Sequence, residues 1–417
     1  MWARRGDPPD FPPEETAMKT RIVMGLLCLA IAANFFSVTA NAEPGVAADQ
    51  ITVGMSTVLT GPASFLGHNY REGAESYLNK VNESGGVNGR KIKLIVYDDG
   101  YEPNNAVANA TKMIKEDKVF CLLGNAGTPT TMAIKSLLSA EKVPLFAPLT
   151  GAESLRNPVD RYIFHYRASY NQEVEVFIQG VVDTLGYRKV AVFYQDDAYG
   201  KAVLEAAKAS LWKRGLLPSA AGTYTRNLED VYQALEKITA AKPEAVVMAG
   251  TYSACAKFII GWKRQFILGG RKKDMDPVFM NVSFVGPVRL AELLDKYADG
   301  VVITQVVPPF SPGGNNYPAV NDYLAALGKY YPRSKPSFGS LEGFLATRVF
   351  VEVLKRIGKD LTRESFIRTA ESVRNLDIQA GNTISFSSEN HQGSQTVYPT
   401  VIKNGAFRMI GDWTKIK

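Results

Sequence analysis

Eight times between Ile51 and Gln305 a run of apolar residues ends in a loop of small and aromatic polar ones, then usually passes into a helix-periodic stretch. The runs are ITVGMSTVLTGP, KIKLIVYDDG, VFCLLGNAGTP, VPLFAPLTGA, KVAVFYQDDAYG, EAVVMAGTY, PVFMNVSF and GVVITQVVPP. Most are hydrophobic without alternation, as parallel strands covered on both faces are. Between them, Asn69 to Ser84, Asn104 to Glu116, Thr130 to Ala140, Gln172 to Leu185, Lys201 to Arg214 and Leu228 to Ala240 carry apolar residues at three- and four-residue intervals and read as helices. Gly85-Gly86, Asn88-Gly89, Pro144, Gly186, Gly215 and Pro243 punctuate the joins. Strand, helix and strand at this spacing favour right-handed parallel crossovers, so the fold class is α/β.

The rhythm is broken at the extended stretch RYIFHYRASY, Arg161 to Tyr170, after which a second strand and helix series begins. A second break falls at Thr304 to Pro312, where the prolines of TQVVPPFSP cannot continue a helix. Ala319 to Tyr331, Leu341 to Ile357 and Arg363 to Val373 then read as helices, and TISF, TVYPTVIK and FRMIGDW as a C-terminal strand pair. Two sheets with three crossings follow, the third near Gly381. The expected division is one lobe of residues 49–168 and 305–380, and another of 169–304 and 381–417.

The N-terminus lies outside this scheme. Residues 1–17 are proline-rich without periodicity and read as an extension ahead of the true start at Met18. Lys19 and Arg21, the apolar Ile22 to Val38 and the small-x-small Ala40-Asn41-Ala42 have the order of a secretory signal, 18–42, cleaved after Ala42. Asn34 and Ser37 interrupt the apolar run, which is shorter than the ~20 residues of a spanning helix. Cys28 follows Leu27 rather than a small residue, which argues against lipid attachment. Cleavage leaves 375 residues of 417, more than one core usually organises.

Residues 1–42 carry four basic and four acidic side chains, so the net +7 belongs to the remainder. Its basic residues are scattered, with Arg271-Lys272-Lys273 the one short cluster, which reads as a solvated turn and not a nucleic-acid footprint. Cys121 and Cys255 fall in different lobes, and His68, His165 and His391 lie far apart, so neither a metal site nor a cofactor is expected.

Ligands of open parallel sheets sit beyond the strands' carboxyl ends, where the unusual residues of this chain occur. In GNAGTPTT, Thr128 is typed as an N-cap and Pro129 as N1, which would aim the amides of Thr130 and Thr131 and the positive helix end at a carboxylate or carbonyl. The plain alternative is a capped helix without a ligand. Leu149-Thr150-Gly151, Ser169-Tyr170, Tyr199-Gly200 and Thr251-Tyr252-Ser253 each put a hydroxyl or aromatic at a strand end or crossing, and tyrosine supplies an apolar wall with one polar tip. Asp98-Asp99 and Asp196-Asp197 have no base or nucleophile nearby and read as turn and helix caps. No catalytic residue is expected, although a hydrolase using Asp98 or Asp196 is the alternative from another class.

Those runs, with GGVNGRKIKLIVYDDG, PLFAPLTGAESLRNP and the closing HQGSQTVYPTVI, resemble the leucine/isoleucine/valine-binding family of periplasmic solute-binding proteins over about Asp49 to Trp413. The resemblance implies the type I periplasmic binding protein fold, two Rossmann-like lobes joined by three hinge crossings. It implies a periplasmic monomer that closes on a small-molecule solute, an amino acid, amide or small carboxylate, and delivers it to an inner-membrane ABC permease and ATPase complex. A sensor partnering a signalling protein is the alternative within the same fold.

By the same resemblance, Thr128 matches a serine that binds the solute's carboxylate, and Leu149, Thr150 and Gly151 the neighbouring loop. Leu66 stands where the family often has an aromatic wall. Tyr199 and Tyr252 match second-lobe tyrosines that cover the solute, and Ser169 and Tyr170 lie at the matching crossing. Two departures stand out. Ser283 and Phe284 occupy the segment where the family's amino-acid binders carry the acid that pairs with the ammonium, leaving Asp196 and Asp197 as candidates to compensate. Tyr101 and Gly127 replace the cysteines of the family's first-lobe disulfide.

Overall fold

The computed structural model describes residues 1–2, 6–9, 43–268, 276–310 and 316–416, with no side chains for 266–268. The signal segment 18–42, Cys28, the Arg271-Lys272-Lys273 cluster and the last two residues of the second crossing lie outside the described residues. Residues Glu43–Lys417 form one compact unit.

Within it stand two parallel sheets. The first has the order β2-β1-β3-β4-β5, with β1 Gln50–Thr57, β2 Lys91–Asp98, β3 Cys121–Leu123, β4 Leu145–Phe146 and β5 Ile163–Phe164. Central β1 and β3 are almost wholly buried, whereas β2 at the edge exposes Lys91 and Lys93 and buries Ile92, blunting the free strand edge. The second sheet has the order β14-β13-β10-β9-β8-β6-β7: β6 Val190–Gln195, β7 Ala221–Tyr224, β8 Ala245–Ala249, β9 Val278–Asn281, β10 Val302–Gln305, β13 Tyr398–Lys403 and β14 Ala406–Met409. Strands β6 to β10 pair parallel, and the C-terminal hairpin β13-β14 joins β10 antiparallel. The sequence pattern misses β7, too polar to read as a strand, and β5, hidden inside the first crossing. A two-stranded ribbon, β11 Leu376–Asp377 with β12 Thr383–Ile384, completes the strands.

The helices are α1 Ser64–Glu83, α2 Pro103–Lys115, α3 Thr128–Glu141, α4 Tyr170–Ile178, α5 Ala198–Trp212, α6 Tyr232–Ala240, α7 Tyr252–Leu268, α8 Pro287–Leu294, α9 Pro318–Tyr330, α10 Phe338–Ile357 and α11 Arg363–Glu371. Helix α1 begins earlier than its periodicity suggests, at Ser64, with Leu66 and Gly67 of its first turn buried. Helix α4 runs on into a π-helical turn, Gln179–Thr184. Helices α1 and α10 touch backbone to backbone: a Cβ on Gly73 would stand 1.8 Å from the Ser340 carbonyl oxygen, and one on Gly343 2.2 Å from that of Tyr70. That contact fixes the first turns of α10 beside the strand ends. Residues 384–394 also pack on the first sheet, with His391 stacked on Phe164 at 3.8 Å and Phe386 edge-on to it at 5.6 Å.

Candidate functional site

Each sheet reverses its strand order once among the parallel strands, between β1 and β3 in one and between β6 and β8 in the other. At such a point neighbouring loops part and leave a crevice. The segments leaving β1 and β3 lead into α1 and α3, and those leaving β6 and β8 into α5 and α7. Leu66, Thr128, Tyr199 and Tyr252 therefore all start from switch points.

The two sets of loops meet. Tyr252 lies edge-on to Phe65 at 5.8 Å, and its hydroxyl accepts a 3.3 Å hydrogen bond from the Phe65 amide. Phe284 lies 4.8 Å from the Tyr199 ring and 6.1 Å from that of Tyr101. Gln195 donates to the Tyr101 hydroxyl at 3.3 Å, and Arg226 pairs with Glu102 at 2.9 Å. Between them lies a narrow cleft whose walls are mainly apolar: Phe65, Leu66, Leu149, Phe284, Val307 and Phe338. Its polar lining comes from Asn69, Ser283, Gln305, Ser337 and Glu342.

Of the residues expected from sequence, Leu66, Leu149, Ser283 and Phe284 line this cavity. Thr128, Thr150, Gly151, Tyr170 and Tyr199 form a packed group adjoining it through Phe284. Thr128 and Thr150 share a 2.7 Å hydroxyl hydrogen bond, and Tyr170 packs on Tyr199 at 5.4 Å. Gly151 has no room for a side chain, since a Cβ would come within 2.6 Å of the Tyr170 ring. Ser169 lies apart from the cavity and caps α4, its hydroxyl accepting from the Gln172 amide.

The turn into α3 departs from expectation. Gly127, not Thr128, is the N-cap, with φ +99° and ψ 150°. A side chain is poorly tolerated there, and none would fit: a Cβ would stand 2.2 Å from Cε2 of Tyr101. Thr128 is thus freed to bond Thr150, while the Thr131 hydroxyl turns back to the Gly127 carbonyl at 2.7 Å. Tyr101 and Gly127 are in contact, and the buried phenol ring fills the space between their chain segments. Cys121 and Cys255 are free and buried.

The carboxylate pairs are structural. Asp98 accepts from the Leu59 amide at 2.8 Å and the Gly100 amide at 2.9 Å, Asp99 from the Ser56 hydroxyl at 2.8 Å, and Asp197 caps α5. Burial pushes Asp99 up to about 6. As candidates to compensate for the missing acid, Asp196 and Asp197 are engaged elsewhere: Asp196 pairs with exposed Lys201 at 3.1 Å and Asp197 with Arg226 at 3.1 Å.

Sequence reasoning missed the charges that surround the cavity. Arg167, in the first crossing and 1% exposed, lies 3.1 Å from Glu173, 3.7 Å from Glu342 and in hydrogen-bond contact with the Ser283 hydroxyl. Glu173 accepts from the Ser283 amide at 2.7 Å and the Thr304 hydroxyl at 2.6 Å. Burial pulls on the Arg167 guanidinium, but Glu342 and Glu173 outweigh it and hold its pKa above the usual range. Burial also pushes Glu342 up to about 7, Arg167 opposing. One signal was available: Glu342 stands alone as an acid within the apolar stretch LEGFLA.

The comparisons with known proteins agree with this architecture. The family model described as "Periplasmic binding protein" matches residues 50–406. The chain belongs to the periplasmic binding protein family, of the Leu/Ile/Val-binding type. A crystal structure of a possible leucine/isoleucine/valine-binding protein from Rhodopirellula baltica superposes with a TM-score of 0.80 at 31% identity, covering 90% of this chain and all of that one. A Leu/Ile/Val-binding protein homolog from Brucella abortus is 25% identical over 378 residues, 86% of this chain and 88% of the relative. An amino acid binding protein of Pseudomonas aeruginosa is 26% identical over 256 residues. The match spans 66% of that relative's length and 55% of a Leu/Ile/Val-binding homolog from Brucella melitensis. The family assignment carries the type I periplasmic binding fold with its parallel-sheet lobes.

Proposed function

We propose that this chain is an exported receptor, not an enzyme, that closes its two lobes over a small solute and delivers it to an ABC permease and ATPase complex. The observation that carries the reading is the cavity at facing switch points, with Leu66 and Leu149 on one wall and Ser283 and Phe284 on the other. A solute touching both walls favours the closed form over the open one, which is what couples binding to closure. Tyr252 and Phe65 then act as the clasp, and Thr128, Thr150 and the α3 amides as the polar end. The relatives' names, "Amino acid binding protein" and "Leu/Ile/Val-binding protein", support amino acids among the solutes.

In this reading one lobe comprises residues 49–168 and 305–394, the other 169–304 and 395–417. The third crossing is moved beyond Gly381 because Phe386 and His391 pack on Phe164. Export proceeds through residues 18–42 with cleavage after Ala42, and the protein acts as a periplasmic monomer. Thermal-shift and calorimetric titration against amino acids, amides and small carboxylates tests the function. Stabilisation by one class is expected, and a flat response across the panel counts against it.

A further inference from the structure

The polar groups on the cavity wall differ in what they have left to offer a solute. Asn69 is committed at both ends, its Oδ1 accepting from Ser337 and its Nδ2 donating to the Phe65 carbonyl, each at 2.6 Å. The Ser283 hydroxyl donates to Glu173 at 3.0 Å. Two groups remain, and both are acceptors. Oε1 of Gln305 is buried without a partner. Its orientation is fixed by Thr400, whose hydroxyl donates to the Ile303 carbonyl at 2.6 Å and so can only accept from Gln305 Nε2 at 3.4 Å. The Glu342 carboxyl, 5% exposed, has an ion-pair neighbour in Arg167 at 3.7 Å but no hydrogen bond among the described residues. A buried carboxylate in that condition is under-solvated.

Glu173 cannot take the same part, because Arg167, the Ser283 amide and hydroxyl and the Thr304 hydroxyl already occupy its lone pairs. Ser283 and Phe284 supply no charge. Glu342 is therefore the acid on this cavity with capacity to spare, set among apolar walls.

We propose that Glu342 is the counter-charge for a solute's amino group, with Gln305 Oε1 as a second acceptor, in place of the acid that Ser283 and Phe284 do not supply. The inference rests on the receptor reading and names the residue that takes the solute's ammonium. The groups facing Glu342 are Arg167 from the first crossing, Glu173 from α4, Arg156 from the turn after β4, Tyr70 from α1 and Tyr166 beside β5. Since burial raises Glu342 to about 7, an ammonium must displace its proton in acid. Binding below that pH should release a proton and weaken.

The test uses L-phenylalanine, phenethylamine and 3-phenylpropionate, which carry both charged groups, the ammonium alone and the carboxylate alone on one ring. Calorimetry at about pH 6 and about pH 8, in two buffers of different ionisation enthalpy, measures affinity and proton release together. Both amines should bind, with release of up to one proton at the lower pH. Glu342→Gln should weaken both by at least about tenfold while 3-phenylpropionate stays within about threefold. The proton-release measurement on the unaltered protein needs no variant and stands even if Glu342→Gln folds poorly. Amine affinity unchanged by the substitution, no proton release, or binding of 3-phenylpropionate alone would overturn the assignment while leaving a solute receptor in place. Silence from all three probes and from the wider solute panel would remove both.

Discussion

Replacing Tyr252 by alanine should loosen the closed cleft without unfolding either sheet. Tyr252 opens α7, and its side chain meets Phe65 across the cleft by one hydrogen bond of 3.3 Å and one edge-on ring contact at 5.8 Å. The hydrogen bond contributes ~0.5–1.5 kcal/mol. An aromatic pair of this geometry adds ~0.5–1.5 kcal/mol. Together the closed form loses ~1–3 kcal/mol, which at about 1.4 kcal/mol per decade is a 5- to 150-fold weaker solute affinity when the free protein is mainly open. Tyr252→Phe keeps the ring and should cost about 2- to 10-fold. Titration calorimetry gives the affinities, and small-angle scattering with and without solute reports closure. An alanine variant that binds within about twofold of the parent and closes equally would remove Tyr252 from the clasp.

Three further outcomes can be checked directly. Gly127→Ala should lower the melting temperature by several degrees, because φ +99° strains any side chain and its Cβ would lie 2.2 Å from the Tyr101 ring; an unchanged melt would show that the turn can rearrange. Glu342 is raised from 4.5 to about 7, so the folded protein holds a proton the unfolded chain has lost: its contribution to stability is full below about pH 4.5 and gone above about pH 7. Asp99, raised to about 6, acts with the same sign. Glu342→Gln should flatten, not abolish, the fall in stability between those limits, and denaturant melts across pH would show an identical slope if the assignment is wrong. The Arg226–Glu102 pair joins the two walls, but its side chains are 20% and 45% exposed. Arg226→Ala should therefore weaken solute affinity by less than about fivefold, and less again at high salt; a larger loss would mean that Arg226 touches the solute.

Periodicity alone determined the alternation of strand and helix and the split into two series, because continuous apolar runs can only be satisfied between covering layers. It also pointed to the strand ends, where Leu149 lines the cavity; Leu66, Ser283 and Phe284, which line it too, were singled out by the family resemblance and not by periodicity. Local pattern misjudged the entry to α3, where Thr128 looks like a cap but a glycine takes that place once the Tyr101 ring lies against it. Tyr101 itself sits in an ordinary turn sequence, and only the approach of β2's exit to α3 buries it. The same holds for charge. Arg167 and Glu173 lie six residues apart, but Gln305 and Glu342 are distant in the chain and join them only because the first crossing, the end of β10 and the first turns of α10 converge, with Gly73 and Gly343 letting α1 and α10 touch. A local window reads which backbone a segment prefers; which buried acid is left without a hydrogen bond depends on every neighbour that folding brings to it.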